Sequence, residues 1–174
     1  MNYTFRELER ADLAVINLWR NDADLISSLG NNFRFINGEV DQNWFENYLQ
    51  NRDKAVRLAI IAAAGCPLIG TVQLTNIHCV DRSAEFSIMI GDRDHWSKGV
   101  GTLATRFMLD HGFHDLNLNR IYLTVLSSNI RAIKTYERVG FVREGVLREA
   151  VFKDGRFEDL IQMSQLRGDK DVPG

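Results

Sequence analysis

After a short alternating segment at residues 3–8, which predicts a first strand, the apolar positions of this chain keep a helical period to about residue 50. Asp12 is placed to cap a helix through Arg20, with Leu13, Ile16 and Trp19 turned inward. Residues 21–30 predict a second short helix closed by Gly30. An aromatic and polar loop follows, with Phe33, Arg34 and Phe35. Asp41 is placed to cap a further helix. Its Trp44, Phe45, Tyr48 and Leu49 stand at helical spacing, which suits a core or the wall of a substrate cleft.

The period then changes. Residues 56–63 are a continuous apolar run, a Gly65-Cys66-Pro67 turn follows, and residues 68–77 complete a predicted hairpin. Residues 83–90 predict the next strand. Phe86, Ile88 and Ile90 share one face, and Glu85, Ser87 and Met89 share the other. Residues 99–116 read as a helix, with Leu103, Ala104, Phe107 and Met108 on one side, and residues 120–126 as a strand rich in Ile, Tyr, Thr and Val. Asn129 caps a helix holding Ala132, Ile133, Tyr136 and Val139, which Gly140 ends. Two last strands, 141–152 and 157–166, are joined by Asp154-Gly155, a hairpin signal. The order implies an α/β (α+β) fold, a mixed and mainly antiparallel sheet of about seven strands with one strand–helix–strand crossover. A single domain is expected over residues 1–167, with a frayed polar tail at 168–174.

Composition narrows the function classes. With 174 residues, 45% hydrophobic and 25% charged, the chain suits one soluble domain. A formal charge of −2 offers no basic face for nucleic acid, and no apolar run is long enough for a membrane span. Residues 1–7 lack the apolar core of a signal peptide. Cys66 and Cys79 form no metal pattern, so a cytoplasmic setting with reduced thiols is expected. His111 and His114 stand three apart on a helix, where a solvated face is expected and no metal is implied.

The candidate chemistry begins at Trp96-Ser97-Lys98-Gly99-Val100-Gly101-Thr102, between a strand and a helix. Glycine admits close backbone approach, and the first-turn amides of a helix have no internal partners. The helix dipole adds partial positive charge there, and Lys98 adds a full one. By itself the pattern fits a tight turn or an anion cradle. It has neither the long loop ending in Lys-Ser/Thr nor the third glycine of the dinucleotide fingerprint. Glu85 sits mid-strand between Ala84 and Phe86. A carboxylate on a covered sheet face costs free energy unless partnered, so it is a candidate base or a cation-binding group, the alternative being a solvated or Arg-paired strand residue.

Taken together, the glycine loop, Asn129 and Tyr136-Glu137-Arg138-Val139-Gly140-Phe141 resemble the GNAT superfamily of acetyl-CoA-dependent N-acetyltransferases. The resemblance spans residues 3–166, and Trp96 stands where the family has Gln or Arg. Arg82-Ser83-Ala84-Glu85-Phe86, residues 119–123 and residues 154–159 look like the spermidine and ribosomal-protein N-terminal branches. Leu18-Trp19-Arg20-Asn21-Asp22 resembles enzymes acting on nucleotide-linked amino sugars. The resemblance implies a GNAT fold with helices on both faces of the sheet. It implies amides of residues 98–102 on the acetyl-CoA pyrophosphate, and a bulged, splayed strand whose Ile88, Met89 and Ile90 pair with the pantetheine arm. The amide of Ile90 or Met89 would polarise the acetyl carbonyl, Asn129 would bond a pantetheine amide, and Tyr136 would protonate the leaving sulfur. The implied reaction is direct attack in a ternary complex by a primary amine of a small molecule, an amino sugar or a polyamine. A protein N-terminus and a non-catalytic acyl-CoA-binding module stay open as alternatives, and a homodimer is implied by analogy.

Overall fold

The structure is a computed structural model and describes residues 3–62 and 68–171. The strands in chain order are β1 (Thr4–Glu7), β2 (Val56–Ile61), β3 (Leu68–His78), β4 (Ser83–Ile90), β5 (Arg120–Leu126), β6 (Val142–Lys153) and β7 (Arg156–Leu166). The helices are α1 (Leu13–Arg20), α2 (Ala23–Ser27), α3 (Gly38–Gln50), α4 (Val100–His114) and α5 (Ile130–Arg138). All seven strands form one sheet, ordered β1-β2-β3-β4-β5-β7-β6. Every neighbouring pair is antiparallel except β4 and β5, which the α4 crossover makes parallel.

Strand alternation divides the apolar residues between two layers. Ile60, Val72, Leu74, Phe86, Ile121 and Leu123 pack under α4 and α5, meeting Ala104, Met108, Phe113 and Ile133. Ala59, Ile61 and Leu68 turn to the opposite face, where Leu13 and Ile16 of α1 and Phe45 and Tyr48 of α3 cover them. On α4 the buried stripe runs through Val100, Ala104, Thr105, Met108, Leu109, Gly112 and Phe113. Leu103 and Phe107, expected inward, are about half exposed, and Phe107 stacks on Phe5 at 4.3 Å.

Two helix starts differ from expectation. Asp12 does not cap α1. It closes a 3-10 turn over Arg10–Asp12, accepts from the Glu9 amide and pairs in bidentate fashion with Arg6 at 2.7 and 2.8 Å. Asp41 lies inside the first turn of α3, whose cap is Asn37, bonded to the Val40 amide at 3.0 Å. Asp41 is instead buried, accepting from Asn17 and Arg20. Helix α2 is capped by Asp22 and closes at Ser28, before Gly30. The Gly65-Cys66-Pro67 turn lies outside the described residues. Beyond β7 a 3-10 turn spans Arg167–Asp171, and Arg167 holds it to the Phe113 and Leu118 carbonyls.

Candidate active site

The parallel pairing of β4 and β5 covers only Ser83–Glu85 against Arg120–Tyr122. Beyond Glu85, β4 keeps its register with β3 to Ile90, while β5 keeps its own with β7 to Leu126. The sheet therefore opens between residues 86–90 and residues 123–126. The expected bulge in β4 is absent, since no register shift interrupts its pairing between Glu85 and Ile90. Divergence of the two half-sheets makes the opening without one.

That regular register fixes where each amide of β4 points. Gly91 N–H donates to the Ile69 carbonyl at 3.0 Å, so alternate residues such as Met89 face β3 as well. Ile88 and Ile90 turn their amides and carbonyls toward the opening. Trp96 indole N–H takes the Ile90 carbonyl at 2.8 Å, which leaves the Ile90 amide facing the gap. Of the two expected carbonyl-polarising amides, this alternation favours Ile90, because Met89 is engaged in the ladder.

A cleft of about 340 Å³ lies along this opening, walled by Ile88, Met89, Ile90, Trp96, Ser97, Gly99, Val100, Gly101 and Thr102 and by α5. Gly99 has φ +81°, a left-handed value suited to glycine, and Ser97 has φ +60°. The amides of Lys98, Gly99, Val100, Gly101 and Thr102 find no acceptor among the described residues, and the first α4 bond is Leu103 N–H to the Gly99 carbonyl. These donors stand at the positive end of a 15-residue helix. Lys98 is exposed and does not wall the cleft.

Arg131, Lys134 and Arg138 of α5 also wall this cleft, and none is in an ion pair among the described residues. Sequence reading passed over them. Their spacing of three and four, a basic stripe on one helix face, is the signal that could have found them. Arg131 lies over the Trp96 ring at 4.8 Å. Trp96 thus engages Arg131 by stacking and the Ile90 carbonyl by its indole donor.

A second cleft, of about 480 Å³, lies on the α1 and α3 side of β4. Glu85, Ser87, Gln73, Arg57, Trp44 and Arg34 are among its walls. Both clefts are bounded by Ser28, Leu29, Ile88, Met89 and Tyr136, so they meet at the splayed end of β4. Tyr136 packs its ring against Phe86 and Phe141 at 6.0 and 5.8 Å. Its hydroxyl has no hydrogen-bond partner among the described residues, and burial pushes its pKa up to about 12. Glu85 is half-buried and accepts from Asn76 at 2.8 Å. Its charge, after burial, helps hold the Tyr122 phenol above its ordinary pKa.

Asn129 caps α5 as expected and makes one further bond. Its Oδ1 accepts from the Ala132 amide at 3.1 Å and its Nδ2 donates to the Ser28 carbonyl at 3.0 Å. It is not among the walls of either cleft, and its bonds cap α5 and tie down the α2 end. His111 and His114 sit beside Asp115 and Asp110, one turn away, and no metal-binding cluster occurs among the described residues.

Unbonded helix-start amides facing a cleft with three cations fit a diphosphate. An opened parallel pair beside them fits an extended thioester arm. A buried phenol then stands where this cleft meets a second one. These features define a class of acyl-CoA-dependent transferase. The comparisons agree: residues 2–142 match the acetyltransferase (GNAT) domain family, and the chain belongs to that family. It is an N-acetyltransferase with acetyl-CoA as donor, which sets aside the non-catalytic module. The chain is 36% identical to a spermidine N(1)-acetyltransferase of Vibrio cholerae, with 94% of this chain and 92% of the relative covered. It is 30% identical to the spermidine N(1)-acetyltransferase of Escherichia coli K12, over 91% of this chain and 82% of the relative. A crystal structure of the Vibrio cholerae spermidine N-acetyltransferase with CoA and spermine superposes with a TM-score of 0.90 at 32% identity, covering 98% of each chain.

Proposed function

We propose that this enzyme acetylates a primary amine of a small molecule, an amino sugar or a polyamine, by direct attack with both reactants bound. The junction of the two clefts at Ile88, Met89 and Tyr136 carries this reading, because it gives donor and acceptor separate entrances to one point. Similarity to enzymes named for spermidine supports the polyamine among the two acceptor classes.

Acetyl-CoA supplies a thioester whose carbonyl is attacked and whose sulfur leaves. The amides of residues 98–102, with Arg131, Lys134 and Arg138, hold its phosphates. The Ile90 amide polarises the carbonyl. Tyr136, protonated throughout the neutral range, holds a proton for the sulfur at its unpartnered hydroxyl. Glu85 takes the amine's proton or holds the ammonium before it is lost.

The test is thiol release from acetyl-CoA against a panel of small amines and an N-terminal peptide. Release with small amines supports the reading. Release only with the peptide replaces it with protein N-terminal acetylation. A homodimer and a cytoplasmic setting belong to the same proposal. The outer strand β6 leaves Val142, Val146 and Leu147 exposed, and a monomer by mass in solution would remove the dimer.

A further inference from the structure

The acceptor cleft carries more positive than negative charge. Its charged walls are Arg20, Arg34, Arg57 and Glu85. Arg20 is answered by buried Asp41. Arg34 and Arg57 have no carboxylate partner among the described residues.

Arg57 is the more telling of the two. It lies over the Trp44 ring at 4.7 Å and the Tyr48 ring at 5.6 Å, and one N–H donates to Gln73. Its Nε is buried without an acceptor. Burial and the neighbouring Arg20 charge lower its pKa, opposed by Tyr48, yet a guanidinium stays charged at neutral pH. Arg57 walls the cleft without a carboxylate partner among the described residues, and such a guanidinium suits a planar or tetrahedral anion. Arg34 is exposed, but its loop is held at both ends. The Asn31 carbonyl accepts from Lys153, and Ile36 exchanges bonds with Asn21 through its amide and carbonyl. The loop that carries Arg34 is thus anchored at the cleft rim.

We propose that the acceptor is a primary amine that also bears an anionic group, a phosphate or carboxylate, held by Arg34 and Arg57, with Glu85 facing the amine end. This rests on the reading that this cleft receives the amine. A polycation would meet two uncompensated guanidiniums and a single carboxylate. Similarity at 30–36% identity carries the fold and the family, whereas acceptor charge depends on individual wall residues.

The experiment compares kcat/KM of the full chain, by thiol release, for matched acceptors. The panel is ethanolamine, O-phosphoethanolamine and β-alanine; glucosamine and glucosamine 6-phosphate; and spermidine. The expected result is at least tenfold preference for the anionic member of each set, with spermidine below both phosphorylated amines. The phosphate and carboxylate members distinguish the two anions. Arg57→Met should collapse that preference at an unchanged KM for acetyl-CoA. Arg34→Glu, at an exposed position where folding is not at stake, should lower use of the anionic acceptors and raise that of spermidine. Equal or better turnover of spermidine or of the neutral amines overturns the charge assignment while leaving N-acetylation standing. Release no faster than without amine for every acceptor in the panel overturns the reading that this cleft receives a small amine.

Discussion

The Tyr136 side chain is held by apolar contacts alone: Phe86 and Phe141 fix its ring, and no group of the described chain bonds its hydroxyl. Removing that oxygen therefore breaks no internal hydrogen bond. Tyr136→Phe is expected to change stability at neutral pH by about 0.5 kcal/mol or less. The same change should lower kcat by about 100-fold if the phenol protonates the sulfur, with KM for acetyl-CoA little altered. Steady-state kinetics beside a denaturant titration separate the two effects, and full activity in the variant would end the acid role. Because burial raises its pKa from 10.0 to about 12, the native phenol keeps its proton after the unfolded one has lost it. Burial therefore costs nothing below pH 10, and the fold loses about 3 kcal/mol as pH rises from 10 toward 12, because the unfolded phenol ionises first. The alkaline fall in stability should accordingly be shallower in Tyr136→Phe.

Loop 28–36, which walls both clefts, has few apolar contacts of its own and depends on bonds from other elements. Lys153 of β6 is buried and donates to the carbonyls of Ile26, Leu29 and Asn31 at 2.8, 2.5 and 2.5 Å. Asn129 adds the bond to Ser28. Lys153→Met would leave those carbonyls without their donor, at a cost of about 2–4 kcal/mol, and should raise KM for both substrates. Asn129→Asp is subtler: it keeps the α5 cap but sets a carboxylate against the Ser28 carbonyl. Its expected signature is near-normal helix content with raised KM, read by circular dichroism and kinetics. Neither clamp was legible in the sequence, because each partner lies about 100 residues or more away. Asp12 and Asp41 escaped for another reason, since their partners are only 6 and 21 residues away. Both have the composition of helix caps, yet each is captured by an arginine that local spacing does not reveal. Where the deciding partner was local, as for Asn129 with Ala132 or the Asp154-Gly155 turn, the sequence reading and the structure coincide.

At the scale of the whole molecule, the site exists because two antiparallel half-sheets meet over three residue pairs and then part. The mainly antiparallel sheet and the α4 crossover were readable from alternation, but the place of β7 between β5 and β6 and the point of parting were not, since both depend on the register of β5 with β7. Arg120, at the base of the split on β5, binds Glu144 of β6, and Ser164 of β7 donates to the same carboxylate at 2.8 Å. One cluster thus ties three strands of the second half-sheet. The Arg120 hydrogen bonds, helped by Ser164, hold the Glu144 pKa down at about 2, against an ordinary 4.5. A depressed carboxylate stabilises the fold above pH 4.5 and loses that effect as pH falls toward 2. The side chain is about one-third exposed, so solvent screening reduces the contribution to about 1 kcal/mol. Glu144→Gln should therefore lower the denaturant midpoint at pH 6 and match the parent near pH 2. If this cluster holds the second half-sheet in register, the same variant at pH 6 should also weaken acetyl-CoA binding slightly, because β5 forms one lip of the opening. Unchanged binding together with the stability loss would show that the lip keeps its place through β7 packing alone.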